Sequence, residues 1–167
     1  MEQAMGLFEH CVEQGWVLDG VVSQSVAQAA NLWRLREDIS ETLSRWTPYK
    51  NDISTVVSRA PQFLAEVEAL VTASYPAFEV VWYGHIGDGN LHYNVRHGDP
   101  AKNPDLLARQ QDVNRIVYDL LTGYGGSISA EHGIGQLKFA ALQHYKSAPE
   151  IALMRGIKQL LDPQNRM

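Results

Sequence analysis

Residues 83–94 read Tyr83-Gly84-His85-Ile86-Gly87-Asp88-Gly89-Asn90-Leu91-His92-Tyr93-Asn94. Two β-like runs flank Asp88-Gly89, and an Asp-Gly pair in that setting is the strongest short-range hairpin signal, because both central residues of a type I′ turn need positive φ. Counting outward from a turn at Asp88 and Gly89 sets Gly87 opposite Asn90, Ile86 opposite Leu91 and His85 opposite His92. The two imidazoles are then expected as a directly opposed pair, with Cβ atoms roughly 4.5–5.5 Å apart. Strand alternation assigns the faces: His85, His92, Asn94 and Arg96 point one way, and Ile86, Leu91, Tyr93 and Val95 the other. The second set reads as the core face. The first is too polar to lie against apolar helices without partners, so it is expected to line a solvated or ligand-filled site.

Working outward, Phe78–His85 and Leu91–His97 are the two arms of this hairpin. Before them, Asp52–Ser58 reads as a strand and Pro61–Ser74 as a helix with Phe63, Leu64, Val67, Leu70 and Val71 at helical spacing. After them, Asn103-Pro104 opens a helix to about Leu121, with proline at a tolerated first-turn position. Gly123–Gly126 breaks the chain, Ser127–Ser129 is a short extended segment, and Gln136–Tyr145 reads as a helix. Ser147 and Glu150 have the spacing of a capping box for a last helix through Leu161, closed by Pro163.

At the other end, residues 1–15 suggest a helix and Trp16–Ser23 a β-branched strand. Ser25, three residues before Gln28, opens a helix expected to run to about Trp46, with Leu32, Leu35, Ile39 and Leu43 as its apolar stripe. On that helix Arg36 and Ser40 share a second face. The order of elements fits an α+β fold: a ferredoxin-like antiparallel sheet with helices packed on one face, plus additional C-terminal helices.

The chain has 167 residues, 45% hydrophobic and 20% charged, which suits one globular domain with a real core. Nineteen acids against fourteen Lys plus Arg give a net charge of −5. No basic surplus exists to neutralise a phosphate backbone, so no nucleic-acid partner is expected. The single cysteine, Cys11, can form no intramolecular disulfide, which suits a reducing compartment. No apolar run approaches the ~20 residues of a spanning helix, so no transmembrane segment is expected. A cytoplasmic location follows as the expectation, with any membrane contact peripheral and made through a parent enzyme.

Two neutral imidazoles holding a divalent ion usually take a carboxylate as third ligand and leave open positions for catalysis. Glu131 is the candidate, in the glycine-flanked turn Glu131-His132-Gly133-Ile134-Gly135. Gly133 and Gly135 let the backbone approach a bulky planar ligand, His132 could move a proton, and the helix expected after Gly135 would aim its positive end at the site. On spacing alone the histidine pair is equally compatible with a solvent-facing hairpin. Gly84-x-x-Gly87-x-Gly89 precedes a strand rather than a helix and so is no dinucleotide fingerprint.

Three motifs together resemble the C-terminal domain of FAD-linked oxidases, the group of glycolate oxidase D subunits, D-lactate dehydrogenases and D-2-hydroxyglutarate dehydrogenases. They are His-Ile-Gly-Asp-Gly-Asn-Leu-His at 85–92, Ser-Ala-Glu-His-Gly-Ile-Gly at 129–135 with Lys138 beyond, and Leu-Trp-Arg-Leu-Arg-Glu at 32–37. The likeness runs from about Val17 to Pro163 and implies that residues 1–167 are a substrate- and metal-binding domain, a fragment lacking the flavin-binding domain.

The resemblance further implies that His85, His92 and Glu131 hold a divalent metal, typically zinc. It assigns Arg36 to a substrate carboxylate, Ser40 to a hydroxyl contact, Lys50 to a second cationic contact and Asn94 to a polar one. His132 becomes the catalytic general base, and Gly133 and Gly135 lie against the cofactor. The implied reaction oxidises a D-2-hydroxy acid to the 2-oxo acid with hydride transfer to FAD. Implied partners are the small hydroxy acid and the flavin-binding domain of the parent enzyme; the motifs name neither the acid nor the electron acceptor. One departure stands in Trp46–Asn51, where Asn51 occupies a position that is often aromatic in relatives. The alternative reading is a non-catalytic metal or small-acid binding module acting with a partner subunit.

Overall fold

The computed structural model describes residues 2–85 and 87–166. The chain divides into two compact units, residues 1–43 and 44–167.

The first unit is helical. It contains α1 (Glu2–Glu13), α2 (Val26–Glu37) and most of α3 (Ile39–Ser44). Ser25 caps α2 by accepting from the Gln28 N–H at 3.2 Å, while the Gln28 side chain reaches back to the N–H of Gln24 rather than Ser25. The helix expected through Trp46 breaks at Asp38, whose N–H closes on the Arg34 carbonyl and whose carboxylate pairs with the Arg34 guanidinium at 3.0 Å. Trp16–Ser23 forms no strand; its backbone is irregular, and Trp16, Leu18 and Val21 are exposed. A β-branched run without a neighbouring strand to pair with has no reason to stay extended. No residue of α1 or α2 is buried.

The second unit holds the sheet: β1 (Tyr49–Ser54), β2 (Phe78–His85) and β3 (Asn90–His97), antiparallel in the order β1-β3-β2. Between β1 and β2 runs α4 (Ala60–Ser74). After β3 come α5 (Asn103–Ala108), α6 (Gln110–Gly123), α7 (Phe139–Tyr145) and α8 (Ala148–Leu161). Ser127 forms an isolated antiparallel bridge with Ser54 on the outer side of β1. The succession β1-α4-β2-β3-α6-bridge, with the bridge beside β1, is the ferredoxin-like βαββαβ arrangement with its last strand reduced to one pair. The expected α+β class stands.

One face of the sheet is closed by α4 and α6. Phe63, Val67 and Val71 recur every fourth residue on α4, and Val113, Val117 and Leu121 do so on α6. Both stripes join Ile53, Leu91, Tyr93 and Val95 in a single cluster, as periods of 3.6 and 2 require when one helix face meets one sheet face. Along the free edge at β2 the closure is looser, leaving an apolar cavity of about 620 Å³ between Leu64, Trp82 and Leu91. The capping box of α8 is complete: Ser147 Oγ accepts from the Glu150 N–H, and the Glu150 carboxylate accepts from the Ser147 N–H.

The hairpin differs from expectation in register but not in faces. Tyr83 lies opposite His92, and His85 opposite Asn90. The connection is longer than two residues, and among its described residues, 87–89, only Gly89 has positive φ, +75°. Its carbonyl accepts from the Thr55 N–H at 3.1 Å, so the loop is tied to the end of β1. A Cβ on Gly89 would come within 2.0 Å of the Thr55 carbonyl oxygen, and one on Gly84 within 2.0 Å of the Asn90 oxygen. Contact with a third strand, absent from any reading of the hairpin alone, selects the longer loop over the two-residue turn. Because the shift is by two residues, the alternation survives. Ile86, expected on the core face, lies outside the described residues.

Candidate functional site

The open face of the sheet belongs to the odd positions of β2 and the even positions of β1 and β3. Cross-strand rows put Ser54, Asn90 and His85 together, then Asp52, His92 and Tyr83, then Lys50, Asn94 and Val81. Lys50 and Asn94, unrelated in sequence, are therefore direct neighbours. Asn51 points to the other face, where its carbonyl oxygen accepts from the Tyr118 hydroxyl at 2.9 Å; this is the side of the strand away from Lys50.

The turn Ala130–Gly135 reaches this face from the Ser54–Ser127 bridge. Glu131 Oε1 lies 3.1 Å from His85 Nε2 and also accepts from the Asn90 side-chain amide. The His85 and His92 rings are 5.6 Å apart edge to face, and His132 stacks at 6.1 Å from His92 with an interplanar angle of 29°. Ligand atoms of His85, His92 and Glu131 all lie within 4.8 Å of one another, as do those of Asp52, His92 and His132. The histidines expected as a directly opposed pair are thus diagonal neighbours, and they still converge because both stand on one face.

Two residues assigned no role from the sequence, Asp52 and the Lys138 quoted beside the 129–135 motif, complete the arrangement. Asp52 is 4% exposed at the centre of β1. Its Oδ2 accepts from the N–H groups of Ala130, Glu131 and His132 at 3.1, 2.8 and 2.9 Å. Burial pushes its carboxyl up, but these donors outweigh burial and hold it below the ordinary aspartate value. Lys138 donates from Nζ to the carbonyls of Asp52 and Ile128, stitching strand to turn; burial lowers its ammonium while Asp52 raises it. In the run Lys50-Asn51-Asp52-Ile53 nothing marks Asp52 as buried; its place opposite His92 under the 130–132 turn gives a buried charge the partners it needs.

His92 is held below the ordinary histidine value by burial, with Glu131 and Asp52 opposing and His85 and His132 reinforcing. It is therefore predominantly neutral at neutral pH, the form that ligates metals. His85, His92 and Glu131 could hold a divalent ion: two imidazoles and a carboxylate converge, and the buried oxygens Asn90 Oδ1 and Asp52 Oδ1 beside them have no hydrogen-bond partner.

Gly133 and Gly135 have φ of +72° and +50°, and a Cβ on either would meet no atom within 4 Å, so the turn leaves open space beside it. The helix expected straight after Gly135 begins only at Phe139 and spans seven residues. Gly135 and its neighbours form turns instead, closed by the Lys138 N–H on the Ile134 carbonyl. Arg36 and Ser40 belong to the first unit, on α2 and α3, and both are exposed there.

The open face of this ferredoxin-like sheet thus brings His85 and His92 together with Glu131 of the glycine-rich turn. The family described as FAD linked oxidases, C-terminal domain, matches residues 1–167, and the chain belongs to it. A D-2-hydroxyglutarate dehydrogenase of Stutzerimonas stutzeri (strain A1501) is 53% identical over 166 residues, 99% of this chain and 36% of that protein. One from Xanthomonas citri pv. viticola is 58% identical over 160 residues, 96% of this chain and 34% of that protein. The mitochondrial D-2-hydroxyglutarate dehydrogenase of Bos taurus is 38% identical over 164 residues, 97% of this chain and 29% of that protein. The chain spans about one third of the length of these curated relatives. Among the described residues no helix is long and apolar enough to cross a membrane.

Proposed function

We propose that this chain supplies the substrate- and metal-binding part of a flavin-dependent dehydrogenase that oxidises D-2-hydroxyglutarate, or a D-2-hydroxy acid close to it, to the 2-oxo acid. The observation that carries this reading is the convergence of His85, His92 and Glu131 on the open sheet face, with Lys50 and Asn94 in the row next to His92. The likeness to D-2-hydroxyglutarate dehydrogenases over nearly the whole chain supports the choice of acid. When bound, zinc or a similar ion would supply Lewis acidity for the hydroxyl and carboxylate oxygens, and FAD, held mainly by a flavin-binding domain of the parent enzyme, the hydride acceptor.

The chain's own residues then have defined tasks. His85, His92 and Glu131 hold the ion, with Asn90 keeping the Glu131 carboxylate in place through its amide. Lys50 faces a substrate carboxylate as a point charge, and Asn94 borders the same row. His132, stacked beside His92, accepts the hydroxyl proton as general base. Gly133 and Gly135 leave the turn free of side chains where the flavin ring would approach. The motif at 32–37 assigns Arg36 to a second carboxylate contact and places Ser40 one turn on, an assignment that rests on the motif itself.

The test is dye reduction by the full-length polypeptide carrying this chain, with D-2-hydroxyglutarate, D-lactate and glycolate compared, alongside metal analysis. Highest kcat/KM with D-2-hydroxyglutarate and loss of metal in His92→Ala are expected. Turnover of none of the three acids by a flavin-loaded sample would overturn the reading.

A further inference from the structure

Asp52 divides its two oxygens between two parts of the site. Oδ2 takes the three consecutive N–H groups of Ala130, Glu131 and His132, so the turn bearing Glu131 and His132 hangs on one buried atom. Oδ1 is buried without a hydrogen-bond partner and lies 3.8 Å from His92 Nδ1. Asp52 and His92 are directly opposed across β1 and β3, so the backbone holds them side by side. With Oδ2 saturated, His92 Nδ1 is the donor within reach of Oδ1.

We propose that Asp52 is a positioning residue that holds His92 in the tautomer protonated at Nδ1, leaving the Nε2 lone pair for an ion, while its other oxygen sets Glu131 against the histidine pair. The inference rests on the reading of His85, His92 and Glu131 as ligands. It assigns no ligand role to Asp52, although Asp52, His92 and His132 also cluster. A carboxylate that orients a ligating imidazole fixes its tautomer and raises its basicity, and losing such a partner typically costs 10–100-fold in metal affinity. The 3.8 Å separation exceeds the 2.7–3.2 Å of a formed hydrogen bond, so the pair acts through the charge of Oδ1 at this distance and a slight turn of the imidazole would close it.

Asp52→Asn separates orientation from scaffolding. Its amide oxygen can still accept the three N–H groups, which leaves the NH₂ group facing His92, a donor meeting a donor unless the imidazole moves its proton to Nε2. Long-range proton–nitrogen NMR of the His92 ring in the metal-free chain reads that tautomer directly. Expected are Nδ1–H in the wild type and Nε2–H in Asp52→Asn, with a small fall in melting temperature, because a neutral amide oxygen accepts the three N–H groups less strongly than a carboxylate, and zinc binding weakened 10–100-fold by calorimetry. Asp52→Ala should lose the tautomer preference and melt earlier as well.

An unchanged His92 ring and unchanged zinc affinity in a folded Asp52→Asn chain would overturn the proposal. Zinc binding abolished by His132→Ala but retained by His85→Ala would overturn it in another way, making Asp52 a ligand. A tautomer switch between wild type and Asp52→Asn, with no zinc bound by the wild type, would uphold the orienting role of Asp52 and remove the metal reading instead.

Discussion

The two faces of the sheet differ in what they are made of and in what they are for. On the closed face Ile53, Tyr93 and Val95 have no exposed surface and meet α4 and α6. On the open face, one residue along from these, stand Asp52, His92 and Asn94, and the contacts there are hydrogen bonds from a distant turn and ring contacts among polar side chains. Stability therefore resides chiefly on the closed face, and a substitution on the open face should change chemistry more than folding. The exception is Asp52, which belongs to the open face and yet holds 130–132 to the sheet.

The largest expected effect tests the closed face. Phe63 is fully buried and meets Tyr124 edge to face at 5.5 Å, so Phe63→Ala should lose roughly 3–5 kcal/mol in urea unfolding through lost burial and the cavity it leaves. A cost under about 1 kcal/mol would mean that the core is not where the contacts place it. Next is the loop that joins the faces. Gly89→Ala puts a Cβ within 2.0 Å of the Thr55 oxygen at φ +75°, and about 1–3 kcal/mol of strain is expected by the same measurement.

Smaller in stability, though decisive for function, is His85→Ala. Its side chain is 39% exposed, so unfolding should shift by no more than about 0.5 kcal/mol while zinc binding by calorimetry is lost. A marked drop in melting temperature without change in metal binding would erase the contrast between the faces.

The smallest effect is pH dependence. Burial holds His92 below its ordinary value of 6.5, and the three N–H donors, outweighing burial, hold Asp52 below 3.8. Each binds its proton more readily in the unfolded chain, so its contribution to stability is present above the unfolded value and lost as pH falls through the folded one. Urea midpoints should decline first below about 6.5, from His92, and again below about 4.5, from Glu150, whose Ser147 hydrogen bonds hold it down at about 2, and from Asp52. His92→Gln should remove the first decline and leave the second.

Much of this was legible in the residues. The 85–92 and 129–135 motifs point to the family, and the period-two alternation sorts His92 and Asn94 from Tyr93 and Val95 correctly. What escaped is equally specific. Asp52–Ser58 was expected as a strand, whereas β1 runs Tyr49–Ser54, because its length is set by pairing with β3 and by the Ser127 bridge. Gln136–Leu137–Lys138 reads as helix, but Lys138 turns inward to two carbonyls and α7 starts after it.

The sequence by itself determined the class of fold, the stripes of α4 and α6, the caps at Ser25 and Ser147 and which side chains share a sheet face. All of these follow from covalent geometry repeating every 3.6 or 2 residues, or from contacts within one turn of chain. Only the tertiary structure decided the hairpin register, which Thr55 fixes by binding the Gly89 carbonyl, and the meeting of Glu131 with His85 and Asn90. It also decided the role of Asp52, whose partners lie 78–80 residues away along the chain. Local periodicity carries no information about such a distance; the packing of a turn against a strand supplies it.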